Sequence, residues 1–391
     1  MIIGLFNDSY YPIIDGVGVL VRNYAQTLHD RGNTPYVIVP SARDYVDSGD
    51  FPVLRYASFQ LPNMAPYRAG VPALDIEFLK RVHSIPFDIL HSHSPFISGS
   101  IALKIARKRK VPIVTTFHSK YREDLRKALY FQKPAEIALS YLIRFYEAVD
   151  HVWVPNEATG QTLLEYGYEG QVEVIPNGVD IAIPTPDEHR TLRTAGREHL
   201  QIDEDRFIFL FIGQHRWEKN VRLIIDAMKI LADRGADFTL VFVGSGYADK
   251  EMRKLVHSLG LSSRVCFLGQ ISDRQMIRTL YAAADLFLFP SMYDNAPLVV
   301  REAAAFSLPS VLAARSSAAE GVIDGENGFL TENNVDNFAE KLTQLMTDPD
   351  ARARAGKGAR ETIYLSWDQV IGRVMARYIE IVERYKQAPT R

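Results

Sequence analysis

Two carboxylates, Asp294 and Glu302, stand eight positions apart on a predicted loop and the helix that follows it. The residues before them, ADLFLFP, are typical of a short buried strand. Asn295 and Pro297 then indicate a helix start, because proline in the first turn has no N–H group to leave unpaired. Free backbone N–H groups and the helix dipole favour an anion there, and carboxylates favour hydroxyl groups. The plainer interpretation is a helix cap followed by a solvated glutamate.

Two basic side chains could complete an anion site in the same half of the chain. Lys219 lies at the predicted start of a helix, 221–233, which follows a buried strand at 207–213. The ammonium group and the helix dipole would both favour a phosphate. Arg216 is a second candidate cation, three positions earlier. An exposed lysine at a helix start, with no ligand, is the alternative.

A histidine marks the end of a predicted strand in the first half of the chain. His118 falls at the carboxyl end of strand 112–119, which is where open α/β sheets bind ligands. A structural hydrogen bond is the alternative role. His91 and His93 alternate along the preceding strand, but no acidic or cysteine partner stands at ligand spacing. We therefore predict no metal site.

Two glycines follow the first predicted strand, 2–6. Gly16 and Gly18 lie in a polar loop before an amphipathic stretch at 19–31. Glycine there would let the backbone approach a ligand closely, although a plain tight turn explains it equally. The complete G-x-G-x-x-G pattern is missing, so dinucleotide binding is not indicated.

The order of the elements predicts an α/β fold with two Rossmann-like domains. A strand, glycine loop, helix and second strand open the chain, and the same alternation restarts at 207–213. The segment PNGVD at 176–180 and the prolines after it mark a boundary. We predict domains at 1–180 and 181–366. Residues 59–72, with three prolines and a glycine, are predicted to be irregular.

Composition limits the class of protein. Of 391 residues, 47% are hydrophobic and 24% charged, which is ordinary for globular domains. The net charge of −2 provides no field that would recruit nucleic acid. Cys266 is the single cysteine, so no internal disulfide can form, and a reducing compartment is favoured. Neither a signal peptide nor an 18-residue apolar run is evident, so we expect a cytoplasmic protein and leave open a peripheral attachment to the inner membrane face.

One segment departs from this near-neutral balance. Residues 101–133 hold ten basic and two acidic side chains, a local charge of +8, interleaved with Leu125, Leu129, Tyr130 and Phe131. Such a surface is typical of contact with anionic lipid. A solvated basic face is the alternative.

Taken together, these motifs resemble the retaining family-4 glycosyltransferases, which have the GT-B fold. Six features occur in the family's order: the Gly16 loop, His118, PNGVD at 176–180, Glu218 with Lys219, Asp294 to Glu302 at the family's Glu-x7-Glu signature, and DGENGF at 324–329. The resemblance implies two Rossmann-like domains facing across a cleft. It also implies that the last helix, 367–391, crosses back to the first domain.

The same resemblance implies a role for each candidate residue. A nucleotide sugar would bind mainly to the second domain, its diphosphate held by Lys219, Arg216 and backbone amides without a metal ion or cofactor. Glu302 would accept hydrogen bonds from the ribose and Asp294 from the transferred sugar. The remaining assignments are His118 against the donor sugar, Gly16 and Gly18 over the donor phosphates and the acceptor, Gln270 and Ile271 beside the base, and Asn295, Ala296 and Leu298 at the helix start.

Three residues depart from the family pattern. Gln214 stands where the family has arginine, Asp294 where it has glutamate, and Pro297 where a glycine would supply one more N–H donor. Aspartate is one methylene shorter, so its carboxylate reaches about 1.5 Å less. These changes point to a different sugar, a re-tuned site or a loss of transfer.

Three functions remain open from the sequence. The leading one is a retaining transferase that moves a sugar from a nucleotide-sugar donor, with the UDP-glucose type favoured. The acceptor would be a saccharide or a lipid such as diacylglycerol, and the basic segment favours the lipid. The family contains diacylglycerol glucosyltransferases, whose N-terminal loops are similar to those of this chain. A sugar-nucleotide epimerase of the GT-B fold is the second, with Glu123 and Asp124 as candidate acid and base. A catalytically silent nucleotide-sugar-binding protein is the third.

Overall fold

The computed structural model of the chain describes residues 1–13, 15–42, 44–60, 67–118, 121–122, 125 and 132–387. The chain divides into two compact units, each built on its own parallel sheet. The first unit comprises Met1–Asn177 and Trp367–Arg391, and the second comprises Gly178–Ser366.

A seven-stranded sheet forms the centre of the first unit. The strands of this unit are β1 Ile2–Phe6, β2 Thr34–Pro40, β3 Val53–Tyr56, β4 Ser58–Gln60, β5 Arg68–Gly70, β6 Ile89–Ser92, β7 Ile113–Thr116, β8 His151–Val154 and β9 Val172–Val174. The sheet order is β3-β2-β1-β6-β7-β8-β9, and neighbouring strands are parallel. Continuous apolar runs such as Ile3 to Phe6 suit strands that are covered on both faces.

Strands β4 and β5 correct one prediction. The segment 59–72 is not irregular throughout, because β4 and β5 pair as an antiparallel hairpin and a 3-10 turn follows at Pro72–Leu74. Arg68 stabilises the pair by donating to the Ser58 hydroxyl at 2.8 Å and to its carbonyl at 2.9 Å. Residues 61–66 lie outside the described part of the chain.

Before residue 178, the helices in the described part of the first unit are α1 Gly16–Asp30, α2 Ile76–Ser84, α3 Ile97–Arg109, α4 Gln132–Ala148 and α5 Glu157–Glu165. The predicted loop position of Gly16 and Gly18 is wrong: both lie in the first turn of α1. The reason is the cap, since the Asp15 carboxylate accepts the N–H of Gly18 at 2.7 Å and so starts the helix three residues early.

The second unit repeats the Rossmann arrangement. Its strands are β10 Phe207–Ile212, β11 Phe238–Val243, β12 Val265–Gly269, β13 Leu286–Phe289, β14 Ser310–Ala313 and β15 Phe329–Thr331. All pair in parallel in the order β12-β11-β10-β13-β14-β15. The strand order therefore reverses between β10 and β13, which makes the carboxyl ends of these two strands the place where such sheets bind ligands.

Helices connect these strands as the alternation predicts. They are α6 Pro186–Leu200, α7 Val221–Asp233, α8 Asp249–Ser258, α9 Arg274–Ala283, α10 Leu298–Ala305, α11 Val335–Thr347 and α12 Pro349–Thr362. The predicted helix 221–233 is confirmed as α7, and α10 begins directly after Pro297. Lys219 lies just before α7, in a 3-10 turn at Trp217–Lys219.

The last helix, α13 Trp367–Gln387, belongs to the first unit. It packs on α1, and Arg31 donates to the Asp368 carboxylate at 2.9 Å. Arg377 donates to Glu173 in β9, and Tyr378 is fully buried against His91. These contacts tie the last helix to α1, to the central strand β6 and to the edge strand β9.

Candidate functional site

The loops after β10 and β13 bring two predicted residues together. Lys219 Nζ donates a hydrogen bond to Asp294 Oδ1, and the two side chains are 13% and 17% exposed. The rings of Phe289 and Tyr293 each lie 5.9 Å from the ammonium group. The predicted phosphate ligand and the predicted sugar ligand therefore form one partly buried ion pair at the point where the strand order reverses.

The second oxygen of this aspartate is unused. Asp294 Oδ2 is buried and has no hydrogen-bond partner among the residues that the structure describes. A buried carboxylate oxygen without a donor costs free energy, so the site favours a ligand that brings a hydroxyl group. Lys219 has three N–H donors, of which the aspartate takes one.

Polar contacts hold the two loops in place. The Ser291 hydroxyl accepts the backbone N–H groups of Tyr293 at 3.3 Å and Asp294 at 3.4 Å. Asn220, in the left-handed region at φ 61°, donates from Nδ2 to the Pro290 carbonyl at 3.1 Å. Sequence reasoning missed Ser291 and Asn220, because a serine or an asparagine close to a candidate ligand gives no separate signal.

Glu302 is a buried carboxylate with two donors. It is 7% exposed, and it accepts from Arg274 Nη2 at 2.8 Å and from the Tyr281 hydroxyl at 2.8 Å. Arg274 also pairs with Asp180. Burial lowers the pKa of Arg274, but the carboxylates of Glu302 and Asp180 outweigh this effect and raise its pKa overall.

Both donors were missed by the sequence reasoning, although a signal was present. Arg274 and Tyr281 are seven positions apart on α9, which is two helical turns and therefore one face. Burial and then the neighbouring Glu302 raise the pKa of the Tyr281 phenol, so this hydroxyl stays a donor. The cluster fixes the orientation of a carboxylate that the sequence placed in a ligand site.

The other predicted residues of the second unit have partners of their own. The Arg216 guanidinium lies 5.8 Å from the Tyr247 ring, and its Nε is 3.8 Å from Glu218. Gln270 accepts from the Ser245 hydroxyl at 3.4 Å, and Ile271 packs against the hydrophobic core. Asn295 is buried, Ala296 is half-buried, and Leu298 opens α10. Arg216 therefore contacts an acidic neighbour of its own.

A histidine beside this loop was also missed. His215 is 1% exposed and its Nδ1 bonds with Asp249. The glycines of the segment after β11 pack on the same backbone: a Cβ at Gly244 would lie 1.9 Å from the Gly213 carbonyl oxygen, and one at Gly246 would lie 2.2 Å from that of His215. Only glycine permits this approach, which fixes the loop that leads to Lys219.

In the first unit, three histidines stack at the ends of β6 and β7. The His93 ring lies 4.1 Å from that of His91 and 5.4 Å from that of His118, centroid to centroid. His93 Nδ1 is 3.2 Å from His118 Nε2. His91 bonds through Nδ1 with the Tyr378 hydroxyl at 2.5 Å and through Nε2 with Thr116 at 2.7 Å.

These histidines are neutral at physiological pH. Burial lowers the pKa of His118 to about 4. Burial, followed by the neighbouring histidines, lowers the pKa of His91 and of His93 well below the usual 6.5. A neutral imidazole can donate one hydrogen bond and accept another, which suits contact with a sugar hydroxyl.

Asp8 is a further polar residue that sequence reasoning passed over. It follows β1, where the order of the first sheet reverses towards β6. Its carboxylate accepts from the Ser94 hydroxyl at 2.6 Å and from the Ser98 N–H at 3.0 Å and hydroxyl at 2.9 Å. Asp8 thereby ties the loop after β1 to the start of α3.

The basic segment is described in part. Lys104, Arg107 and Lys108 are exposed on α3, opposite its buried Ile105. Arg122 lies 4.6 Å over the Tyr166 ring. Outside the described residues lie Lys120, Glu123, Asp124, Arg126, Lys127, Leu129, Tyr130, Phe131 and the side chain of Lys133.

A cluster of metal ligands and a membrane-spanning helix are both absent from the described ranges. No group of three or more His, Cys, Asp and Glu side chains is arranged to hold a metal ion among the residues described. No described helix is long and apolar enough to cross a bilayer.

Two family models match the chain in tandem. Residues 14–183 match the model described as Glycosyltransferase Family 4. Residues 193–362 match the model described as Glycosyl transferases group 1. The two matches cover most of the first unit and most of the second.

The chain is also similar to named glycosyltransferases and to solved structures over most of its length. The alpha-monoglucosyldiacylglycerol synthase of Streptococcus pneumoniae is 25% identical over 90% of this chain and 79% of its own length. The enzyme of that name from Acholeplasma laidlawii is 23% identical over 92% of each chain. Among structures, the Anabaena protein HepE in complex with UDP and glucose has a TM-score of 0.72 at 20% identity, over 96% of this chain and 98% of that chain. The two-unit α/β architecture predicted from the sequence is thus confirmed as the GT-B fold class.

Proposed function

The chain belongs to glycosyltransferase family 4 and is a GT-B glycosyltransferase similar to diacylglycerol glucosyltransferases, and on that basis we propose its reaction. The enzyme transfers a hexosyl group, with retention, from a donor of the UDP-glucose type to a lipid hydroxyl such as that of diacylglycerol. It does so without a metal ion. The pairing of Lys219 with Asp294 where the second sheet reverses its order is the observation that carries this proposal.

That ion pair suggests how a donor would bind. A diphosphate attracts the Lys219 ammonium group away from Asp294, which shares it in the free protein. The released carboxylate then accepts hydrogen bonds from hydroxyls of the transferred sugar, with its buried Oδ2 included. Each charge-assisted hydrogen bond of this kind contributes about 1.5–3 kcal/mol. The donor thus replaces the ion pair by contacts of its diphosphate with Lys219 and of its sugar hydroxyls with Asp294.

Glu302 is suited to the ribose. A carboxylate offers about four lone-pair sites, and Arg274 and Tyr281 occupy two of them at 2.8 Å each. The remaining sites can accept from the two neighbouring ribose hydroxyls. Because Arg274 and Tyr281 fix its orientation, the glutamate loses little conformational freedom on binding. Gln270 and Ile271 remain our proposal for the border of the base.

The leaving group is stabilised by charge. Lys219, with Arg216 as a second cation, would hold the departing diphosphate together with N–H groups at the start of α10. Such preorganised donors are worth most where negative charge develops. His118 would contact the transferred sugar as a neutral imidazole, and the first turn of α1, with Gly16 and Gly18, would face the acceptor and the donor phosphates.

The relatives' product supports a reaction with retention. The names of two relatives specify an alpha-glucosyl product on diacylglycerol. UDP-glucose is itself α-linked, so an α product means that the configuration is kept. We propose the same outcome here, by attack on the face that the leaving group departs from.

A lipid acceptor agrees with the surface of the first unit. Lys104, Arg107 and Lys108 form an exposed basic face on α3, and α4 exposes Ile137 at 61% and Tyr141 at 65%, one turn apart. Basic and apolar side chains together are what an anionic membrane surface attracts. We propose that the enzyme works on lipid at such a surface.

A donor screen tests the proposal. Nucleotide sugars are compared by thermal stabilisation, and those that bind are then incubated with extracted lipids. We expect UDP-glucose to raise the melting temperature and to yield a glycolipid. Conversion of the donor into another sugar nucleotide would indicate an epimerase, transfer to a saccharide would remove the lipid acceptor, and binding without any turnover would indicate a silent binding protein.

A further inference from the structure

His93 is a buried side chain for which the donor site has no direct use. It is 1% exposed, and its ring lies between those of His91 and His118. Tyr24 packs edge-on against the His93 ring, with the ring centroids 5.2 Å apart. The backbone N–H of His93 donates to the Phe6 carbonyl at 2.8 Å. Packing on these sides fixes the plane of the imidazole.

The contact between His93 and His118 constrains where the protons are. Both rings are neutral at physiological pH, and a neutral imidazole has one N–H donor and one acceptor nitrogen. With His93 Nδ1 at 3.2 Å from His118 Nε2, one of these two nitrogens carries a proton and the other does not. Either His93 donates or His118 donates.

The other nitrogen of His93 decides between these arrangements. His93 Nε2 is buried and has no hydrogen-bond partner in the part of the chain that the structure describes. If His118 donated, His93 would carry its proton on Nε2, as a buried N–H group without an acceptor. If His93 donates, Nε2 is a bare lone pair. Orphaned N–H groups are the rarer and costlier of the two in folded proteins.

We propose that His93 is a positioning residue that donates its Nδ1–H to His118 Nε2 and holds His118 in the tautomer protonated on Nδ1. His118 then presents an N–H donor, and no basic nitrogen, on the side away from His93. In the reaction this makes His118 a hydrogen-bond donor to an oxygen of the sugar, never a base through that atom. Only this last step rests on the proposed function.

The tautomer can be read without any turnover. In protein with 15N-labelled histidine at pH 7.5, long-range proton–nitrogen spectra distinguish a protonated from a bare ring nitrogen. The His118 signals are identified by their loss in His118→Asn. We expect a protonated Nδ1 and a bare Nε2 in His118, and the same pattern in His93. A His118 protonated on Nε2 would overturn the proposal, whether or not the protein transfers sugar.

Two substitutions of His93 separate positioning from packing. Asparagine places its amide N–H where Nδ1 stands, and glutamine places it where Nε2 stands, so both remove the ring but only asparagine keeps the donor. We expect His93→Asn to retain the His118 tautomer and His93→Gln to lose it. In the glycosyl-transfer assay kcat should fall about tenfold more in His93→Gln, with KM for the donor changed less. Equal tautomers and equal kcat in two folded variants would contradict the assignment.

Discussion

Replacing Asp294 by asparagine should tighten the binding of UDP. In the free protein Asp294 shares the Lys219 ammonium group, and the two side chains are only 13% and 17% exposed, so solvent screens them little. A diphosphate has to compete with this carboxylate for the lysine. Asparagine keeps the shape of the side chain but withdraws the negative charge.

The size of the effect follows from the hydrogen bond that is exchanged. A hydrogen bond to a charged group contributes about 1.5–3 kcal/mol and a neutral one about 0.5–1.5 kcal/mol, so Asp294→Asn releases about 1 kcal/mol, or about fivefold in Kd. UDP lacks the sugar, so it loses nothing when the carboxylate goes. Transfer from UDP-glucose should nevertheless slow by tenfold or more, because the sugar hydroxyls lose a charged acceptor.

Calorimetric titration with UDP measures the first effect and a turnover assay the second. Asp233→Asn is the matched control, since Asp233 pairs with Lys229 on the exposed face of α7. We expect the control to bind UDP and to turn over like the parent protein. Unchanged or weaker UDP binding by Asp294→Asn would refute the competition between carboxylate and diphosphate. Transfer at the parent rate would refute the contact of Asp294 with the sugar.

Three further predictions concern other parts of the molecule. Glu302→Gln should weaken donor binding by about 1–3 kcal/mol in calorimetry, and unchanged affinity would remove Glu302 from the site. Arg107→Glu with Lys108→Glu should reduce co-sedimentation with anionic vesicles but not donor binding; equal binding of the parent to neutral vesicles would contradict the membrane proposal. The free energy of unfolding should fall as the pH is lowered from 6.5 to about 4, by about 1.4 kcal/mol per pH unit through His118. In that pH range His118 binds a proton in the unfolded chain but not in the native protein. Denaturant titrations at several pH values should therefore show that the free energy of unfolding of His118→Gln depends less steeply on pH.

Local patterns were sufficient to predict the framework of the second unit. The run at 207–213 and the helix 221–233 correspond to β10 and α7, because apolar periodicity is a local property. Lys219 and Asp294 were each chosen for their own place after a strand. Their direct contact could not be seen, since it depends on β10 and β13 being neighbours although 75 residues separate the two side chains.

The features that the sequence did not predict have one physical cause. In each of them a contact with another residue, and not the local composition, determines the structure. The Asp15 cap moved the start of α1 to Gly16, and Arg68 organised a hairpin in a proline-rich segment. Arg274 and Tyr281 gained their role only through Glu302, which α10 brings to α9. The histidine stack likewise needs β6 and β7 side by side.

The central claim is transfer of a sugar through a site held by Lys219, and one assay tests it directly. Parent protein, Lys219→Met and the control Lys229→Met are compared for transfer of glucose from UDP-glucose to diacylglycerol in anionic vesicles, with EDTA present. We predict an α-glucosyl lipid from the parent and the control, and a rate lower by about 10²–10³ for Lys219→Met, the usual loss when one preorganised donor to a developing anion is removed. Transfer by Lys219→Met at the parent rate, or a parent activity that EDTA abolishes and Mg²⁺ restores, would contradict the account.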